Sequence, residues 1–224
     1  MKKKLRNEKK FVLNNLKLNN FLSWLNVKTL MRKKFLNRTV NSLYIDDLEN
    51  NSVKDNLIGI AYRSKRRFRW YSENNIFSDV VFEEKIKEGK LGYKNKLKLH
   101  HPIDADTQIQ KLVDRYISEL EEKKYILKKY YVPTLYISYE RSYYEDANGA
   151  RVTIDRNIYF SQVKHFSKLK NLKKYSYNNI IAEVKYSEDN TDFIDNSLKY
   201  LQLLPQRHSK YLTGMAVLGD VKYL

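Results

Sequence analysis

The 224-residue sequence has no cysteine, only three prolines and only six glycines. It also has no apolar run near the roughly 18 residues that a membrane-spanning helix needs. Without cysteine there is no disulfide stapling, no thiolate-held metal and no cysteine nucleophile. Without a linker rich in Gly, Ser or Pro, and without internal repeats, a single domain over residues 1–224 is expected. No Walker-type glycine-rich loop is present, which excludes the P-loop way of cradling phosphates. The basic start "MKKKLRNEKKFVLNN" lacks the long apolar stretch of a signal peptide. A cytoplasmic protein is the resulting expectation.

Cations, by contrast, are abundant. Lys and Arg number 43 against 26 Asp and Glu, a formal net charge of +17. Hydrophobic residues make up 42 % of the chain, so it has the means to bury a core and global disorder is excluded. A folded chain with this charge calls for a polyanionic partner: nucleic acid, an anionic membrane surface or a phosphate-rich small molecule. No sequence-specific nucleic-acid motif is visible. Peripheral attachment to an anionic membrane, or to a membrane partner, is compatible with the charge.

Three helices are legible from apolar spacing: Leu18, Phe21, Leu22 and Leu25; Ile109, Leu112, Val113, Tyr116, Ile117 and Leu120, with Asp104 and Asp106 as candidate caps; and Phe193, Ile194, Leu198 and Leu201, stopped by Pro205. Eight segments rich in β-branched and aromatic residues read as strands: "EKKFVL", "VNSLYIDD", "KRRFRWYS", "DVVFEEKIKEG", "KNKLKL", "TLYISYERSYYED", "RVTIDRNIYF" and "IIAEVKYS". "EDANGAR", with Asn148-Gly149, predicts a hairpin turn. Residues 163–179, "VKHFSKLKNLKKYSYNN", read as a basic loop.

Read with period two, nearly every strand has an apolar face and an opposing face of Arg, Lys and Glu. Lys65, Arg67, Arg69 and Tyr71 oppose Arg66, Phe68 and Trp70, so Arg66 is expected on the barrel's exterior or in solvent. Arg6, Glu8 and Lys10 share a face; so do Glu83, Lys85 and Lys87; Lys94, Lys96 and Lys98; Tyr139, Arg141 and Tyr143; Arg151, Thr153 and Asp155; and Glu183 with Lys185. One charged face is usually a solvated face. Repeated on every strand, the pattern fits an α+β fold: an antiparallel eight-stranded β-barrel, helices packed outside, charges inside. Such an interior would be ruinous unless a polyanion or metal occupied it.

These strands, in order, resemble the VTC domain, the catalytic domain of polyphosphate polymerases in the CYTH-like triphosphate tunnel metalloenzyme superfamily. The likeness runs from about Arg6 to Tyr211 through "RNEKKF", "SLYIDD", "RRFRWY", "FEEKIK", "YERSYY", "RVTIDRN", "AEVKY" and "RHSKY". It implies that Lys10, Arg67, Arg69, Lys85, Arg141, Arg151 and Lys210 line a tunnel and act on phosphates. It further implies that Lys94, Lys96, Ser209 and Tyr139 help to bind substrate. Glu183 and Glu8 are the implied ligands of a divalent Mn²⁺ or Mg²⁺ ion. Glu83 and Asp155 have two readings, orienting an arginine or holding metal. The implied activity is transfer of the γ-phosphate of ATP to a growing polyphosphate chain. A triphosphatase using water as acceptor, and a non-catalytic polyanion binder, are the alternatives. The four histidines, His100, His101, His165 and His208, lack metal-ligand spacing and are expected at the surface.

Overall fold

The computed structural model describes residues 6–73, 76–77, 79–89, 91–164 and 166–219. His165 and the facing of the Arg6 side chain lie outside the described parts. The chain forms two compact units: Met1–Arg38, Tyr139–Ile158 and Tyr177–His208 make the first, and Thr39–Ser138, Tyr159–Ser176 and Ser209–Leu224 the second.

The first unit contains β1 (Arg6–Leu13), α1 (Asn15–Lys28), β10 (Ile180–Ser187), α4 (Thr191–Leu198) and one portion each of β2 (Arg32–Asp46), β7 (Val132–Glu145) and β8 (Arg151–Gln162). The Asn14 side chain accepts from Lys17 N at 2.9 Å and starts α1. The predicted stripe then buries Leu18, Phe21 and Leu25 against Phe11, Val152, Ile154, Ala182 and Val184, the apolar faces of the strands. Trp24 Nε1 donates to the Ser197 carbonyl at 2.8 Å and ties α1 to the end of α4. At the β7–β8 turn Gly149 takes φ +79°, and Asp146 Oδ1 accepts from Ala150 N at 2.8 Å, so the hairpin read from Asn148-Gly149 is present.

The second unit holds the other portions of β2, β7 and β8, with α2 (Asn51–Ile58), β3 (Tyr62–Glu73), β4 (Ile76–Phe77), β5 (Val81–Glu88), β6 (Leu91–Lys98), α3 (Ile109–Glu122) and α5 (Lys210–Val217). Its core sets Phe68, Trp70 and Phe82 beneath Leu112, Val113, Tyr116 and Leu120 of α3. Asp104 and Asp106 do not cap α3. Asp104 Oδ1 instead accepts from Asp106 N at 2.8 Å in the preceding turn.

Strand order is β1-β10-β8-β7-β2-β3-β5-β6, with β4 on β3 and the short β9 (Tyr175–Tyr177) on β8. The expected α+β class and the path of eight antiparallel strands are both present, and β1 and β6 are its ends. Helices α2 and α5 were not legible in the sequence. Buried Asp46 anchors α2 by accepting from Ser52 N at 3.0 Å and Val53 N at 3.2 Å. Gly214 lets α5 pack closely, since a Cβ there would lie 2.6 Å from Leu135 Cδ2 and 2.8 Å from Phe160 Cδ1. No helix among the described residues is long and apolar enough to cross a membrane.

Candidate active site

In the second unit the antiparallel registers bring charged residues of β3, β5 and β6, and polar residues of β2, onto one face. Arg67 lies opposite Tyr44 of β2 and Glu83 of β5, Arg69 opposite Ser42, Lys65 opposite Lys85, and Lys96 and Lys94 of β6 opposite Glu83 and Lys85. Phe68, Trp70 and Phe82 take the other face and are buried. The alternation read from the sequence therefore holds through β3 and β5.

Glu83 is the hub of this face. Its Oε2 accepts from Arg67 Nε at 2.8 Å and Arg67 Nη2 at 2.6 Å, and lies 3.4 Å from Arg69 Nη1. Its Oε1 is in contact with Lys94 Nζ and 3.8 Å from Lys96 Nζ. Burial pushes the carboxyl up, but Arg67, Arg69 and Lys94 outweigh it and hold Glu83 well below the usual carboxylate range. Lys94 is lowered to about 7, first by burial and then by Arg67 and Arg69, against the pull of Glu83. Two groups that the sequence reading left out hold the arginines from the far side. Arg67 Nη1 donates to the Tyr44 hydroxyl at 2.8 Å, and Arg69 Nε lies 3.4 Å from Ser42 Oγ. They alternate along "SLYID", so period two could have found them. Lys65, read on the charged face but given no site role, donates to Ser209 Oγ at 3.0 Å, while Ser209 caps α5 and Lys210 opens it.

The first unit carries a different constellation. Lys10 pairs in register with Glu183 and Glu8 with Lys185; across β10, Glu183 faces Thr153 and Lys185 faces Arg151. Acid and base thus alternate in both directions within the quartet Glu8, Lys10, Glu183 and Lys185 of β1 and β10. Lys10 Nζ is 2.9 Å from Glu8 Oε1 and donates to the His208 carbonyl at 3.1 Å. Lys185 contacts Glu183 and lies 3.7 Å from Glu8 Oε2. Burial and Glu8 push the Glu183 carboxyl up; Lys185 and Lys10 outweigh them and keep it ionised. Beside this quartet a cleft of about 400 Å³ is lined by Arg151, Lys185, Asn148 and Asn190 among others. Arg141 is clamped on buried Asp155, Nε to Oδ1 at 2.5 Å and Nη2 to Oδ2 at 2.8 Å, and lies between the rings of Tyr139 and Tyr143. Arg151 Nε is 3.3 Å from Glu145.

Among the described residues no cluster of three or more His, Asp or Glu side chains is placed to hold a metal. Glu8 and Glu183 are the pair that fits one. They sit diagonally on adjacent strands, on the same face, partly open to solvent, as suits a hard dication that keeps water in its remaining positions. Glu83 and Asp155 are each engaged by arginine, which is the orienting role of their two readings.

Arg66 corrects an expectation. It does leave the cationic face, but it is not in solvent. Its Nη2 is 2.6 Å from Glu84, its guanidinium stacks 4.7 Å over the Tyr131 ring, and its side chain is 16 % exposed. Strand periodicity assigns a face but not what later covers it; here Tyr131, just before β7, does. His100 and His101 lie at the surface, with His101 Nδ1 2.8 Å from Glu119, and His208 is half-buried beside Tyr177.

Three solved structures share this fold at low identity. PH1819 from Pyrococcus horikoshii OT3 is 12 % identical with a TM-score of 0.55, over 96 % of this chain and 98 % of that one. A putative adenylate cyclase from Vibrio parahaemolyticus is 12 % identical at 0.52, over 93 % and 96 %. The putative adenylyl cyclase HpAC1 from Hippeastrum, described as having a dominant triphosphatase activity, is 13 % identical at 0.50, over 95 % and 96 %. No curated protein matches the chain. The fold is that of the CYTH-like triphosphate tunnel proteins, and the model of the VTC domain matches residues 5–219, so the chain belongs to the VTC domain family.

Proposed function

We propose that this protein is a polyphosphate polymerase that transfers the γ-phosphate of ATP to a growing polyphosphate chain. The observation that carries the reading is the gathering of Arg67, Arg69, Lys94 and Lys96 on one strand face, in a chain of the VTC family. Phosphoryl transfer asks little covalent chemistry of a protein; positioning and neutralisation of charge do most of the work. Guanidinium forks match phosphate oxygens in pairs, and ammonium groups add point charges. Lys10, Lys85, Arg141, Arg151 and Lys210 take the same role, with Ser209 and Tyr139 assisting. Glu183 and Glu8 would hold Mn²⁺ or Mg²⁺, which when bound supplies Lewis-acid neutralisation of phosphate oxygens. Lys185 and Lys10 keep the Glu183 carboxylate ionised.

A triphosphatase would use the same groups with water as acceptor, and the triphosphatase activity described for the Hippeastrum protein favours keeping it as the second reading. Incubation of the protein with ATP and Mn²⁺ decides between them. Long-chain polyphosphate is the expected product. Orthophosphate alone would establish the triphosphatase, and no turnover under either metal would leave a binding protein and overturn the enzyme.

A further inference from the structure

Glu83 is 4 % exposed, and its two oxygens are shared among four cations drawn from two neighbouring strands. Arg67, Arg69, Lys94 and Lys96 thus converge on one carboxylate. A dication placed on Glu83 would enter the same ring of positive charge, where Coulomb repulsion opposes it. What the arrangement does suit is geometry. Arg67 is gripped at both ends, by Glu83 at 2.6 and 2.8 Å and by Tyr44 at 2.8 Å, and Arg69 lies between Glu83 and Ser42. Without a central anion, four neighbouring cations would repel and splay outward along their long side chains.

We propose that Glu83 is a positioning residue and not a metal ligand: it is the fixed counter-charge that holds Arg67, Arg69, Lys94 and Lys96 together in the orientation that receives a phosphoryl group. This rests on the reading of that face as a phosphate site. It has a consequence opposite in sign to ordinary damage. Glu83→Gln removes the charge at nearly constant volume, so the face gains one net positive charge while its forks lose alignment. Anions should bind more tightly and react more slowly. Alignment matters steeply in such sites, since small misplacements of a reacting group are costly in rate.

The test uses the full chain with tripolyphosphate as probe. Glu83→Gln should bind tripolyphosphate at least as tightly as the parent by calorimetry, while kcat with ATP falls about tenfold or more and KM does not rise. The Mn²⁺ concentration giving half-maximal activity should not move. Without anion the variant should melt lower than the parent, and tripolyphosphate should raise its Tm by more than it raises the parent's, because the ligand supplies the missing negative charge. A merely structural role would weaken both anion binding and stability. Glu83→Asp, which keeps the charge one methylene further back, should bind like the parent and recover part of kcat; it serves as the test if Glu83→Gln does not fold. Weaker tripolyphosphate binding in the glutamine variant, a parental kcat or a raised Mn²⁺ requirement would each overturn the proposal. If the parent itself binds no tripolyphosphate, the phosphate reading falls instead. The counter-charge role is then read from a double-mutant cycle in melting: Glu83→Gln should destabilise less in an Arg67→Met background, and equal losses would refute it.

Discussion

The two units use the same residue types in different proportions. In the second unit one nearly buried carboxylate, Glu83, serves four cations. In the first, Glu8 and Glu183 alternate with Lys10 and Lys185 at closer to equal numbers, with Glu8 and Lys185 30 % and 46 % exposed. On the Glu83 face the cations in contact with the carboxylate outnumber it; on the Glu8–Glu183 face acid and base are matched, with Glu8 and Lys185 partly exposed. A third pair, Arg66 with Glu84, shows what purely structural pairing looks like here: one to one, enclosed, and capped by Tyr131. Ratio and exposure, more than residue type, separate these three arrangements.

The sharpest way to break this comparison is Glu183→Gln. It keeps the volume and removes the charge, so divalent-dependent turnover should drop to background while the melting curve stays close to the parent's. Turnover at the parental rate in Mn²⁺ would remove Glu183 from the metal role.

Next come the adjacent arginines of β3. Arg67→Ala and Arg69→Ala should each lose about 30- to 1,000-fold in nucleotide turnover, the equivalent of roughly 2–4 kcal/mol for a positioned cation on a transferring phosphoryl group. Arg66→Ala should do the reverse. It removes the guanidinium from Glu84 and leaves only the neutral donors Tyr125 and Asn95 on that charge; breaking an enclosed pair costs roughly 3–5 kcal/mol, a fall in Tm on the order of 10 °C, with turnover changed only a few-fold below the transition. Steady-state rates beside thermal melts for the three variants check this. Equal rate losses would mean that the two faces of β3 do not differ in function.

The smallest effect is one of pH. Lys94 lies near 7 instead of its usual 10.5, so it is charged below neutrality and largely neutral above it. A bound anion favours the charged form, and tripolyphosphate affinity should therefore weaken a few-fold as pH rises through about 7. Stability of the free protein should move the other way. Between about 7 and 10.5 the unfolded chain holds a proton on Lys94 that the folded chain has lost, so this group's contribution to stability increases with pH. Calorimetry at three pH values, with Lys94→Met as control, reads the first; a pH-independent affinity would place Lys94 away from the bound anion.

Much of the second unit's site could be read from alternation alone. Lys65, Arg67 and Arg69 had to share a face because a strand's period is two, and Phe68 had to take the other. The partners of those residues could not be read. Lys94 reaches Glu83 diagonally, although Lys96 is its register partner, because a flexible ammonium stem goes to the nearest uncompensated charge. Helices α2 and α5 escape a reading of the sequence because each is only eight residues long, and each depends on groups outside its own span: nearby Asp46 for the start of α2, and the distant Leu135 and Phe160 for the close approach of Gly214. The enclosure of Arg66 escapes it for a related reason, since the ring of Tyr131 comes from sixty-odd residues away.

By itself the sequence determined the antiparallel α+β class, the eight principal strands, the opposed faces of β3 and β5, and the strong positive charge of the chain. These are local properties, set by residue period, propensity and net charge. Only the tertiary structure decided that Glu83 and Asp155 are held by arginine, that Glu8 and Glu183 sit among lysines, and that Arg66 is enclosed. Those outcomes depend on strand register and on what packs over a face, and both are fixed by contacts between segments far apart in the chain.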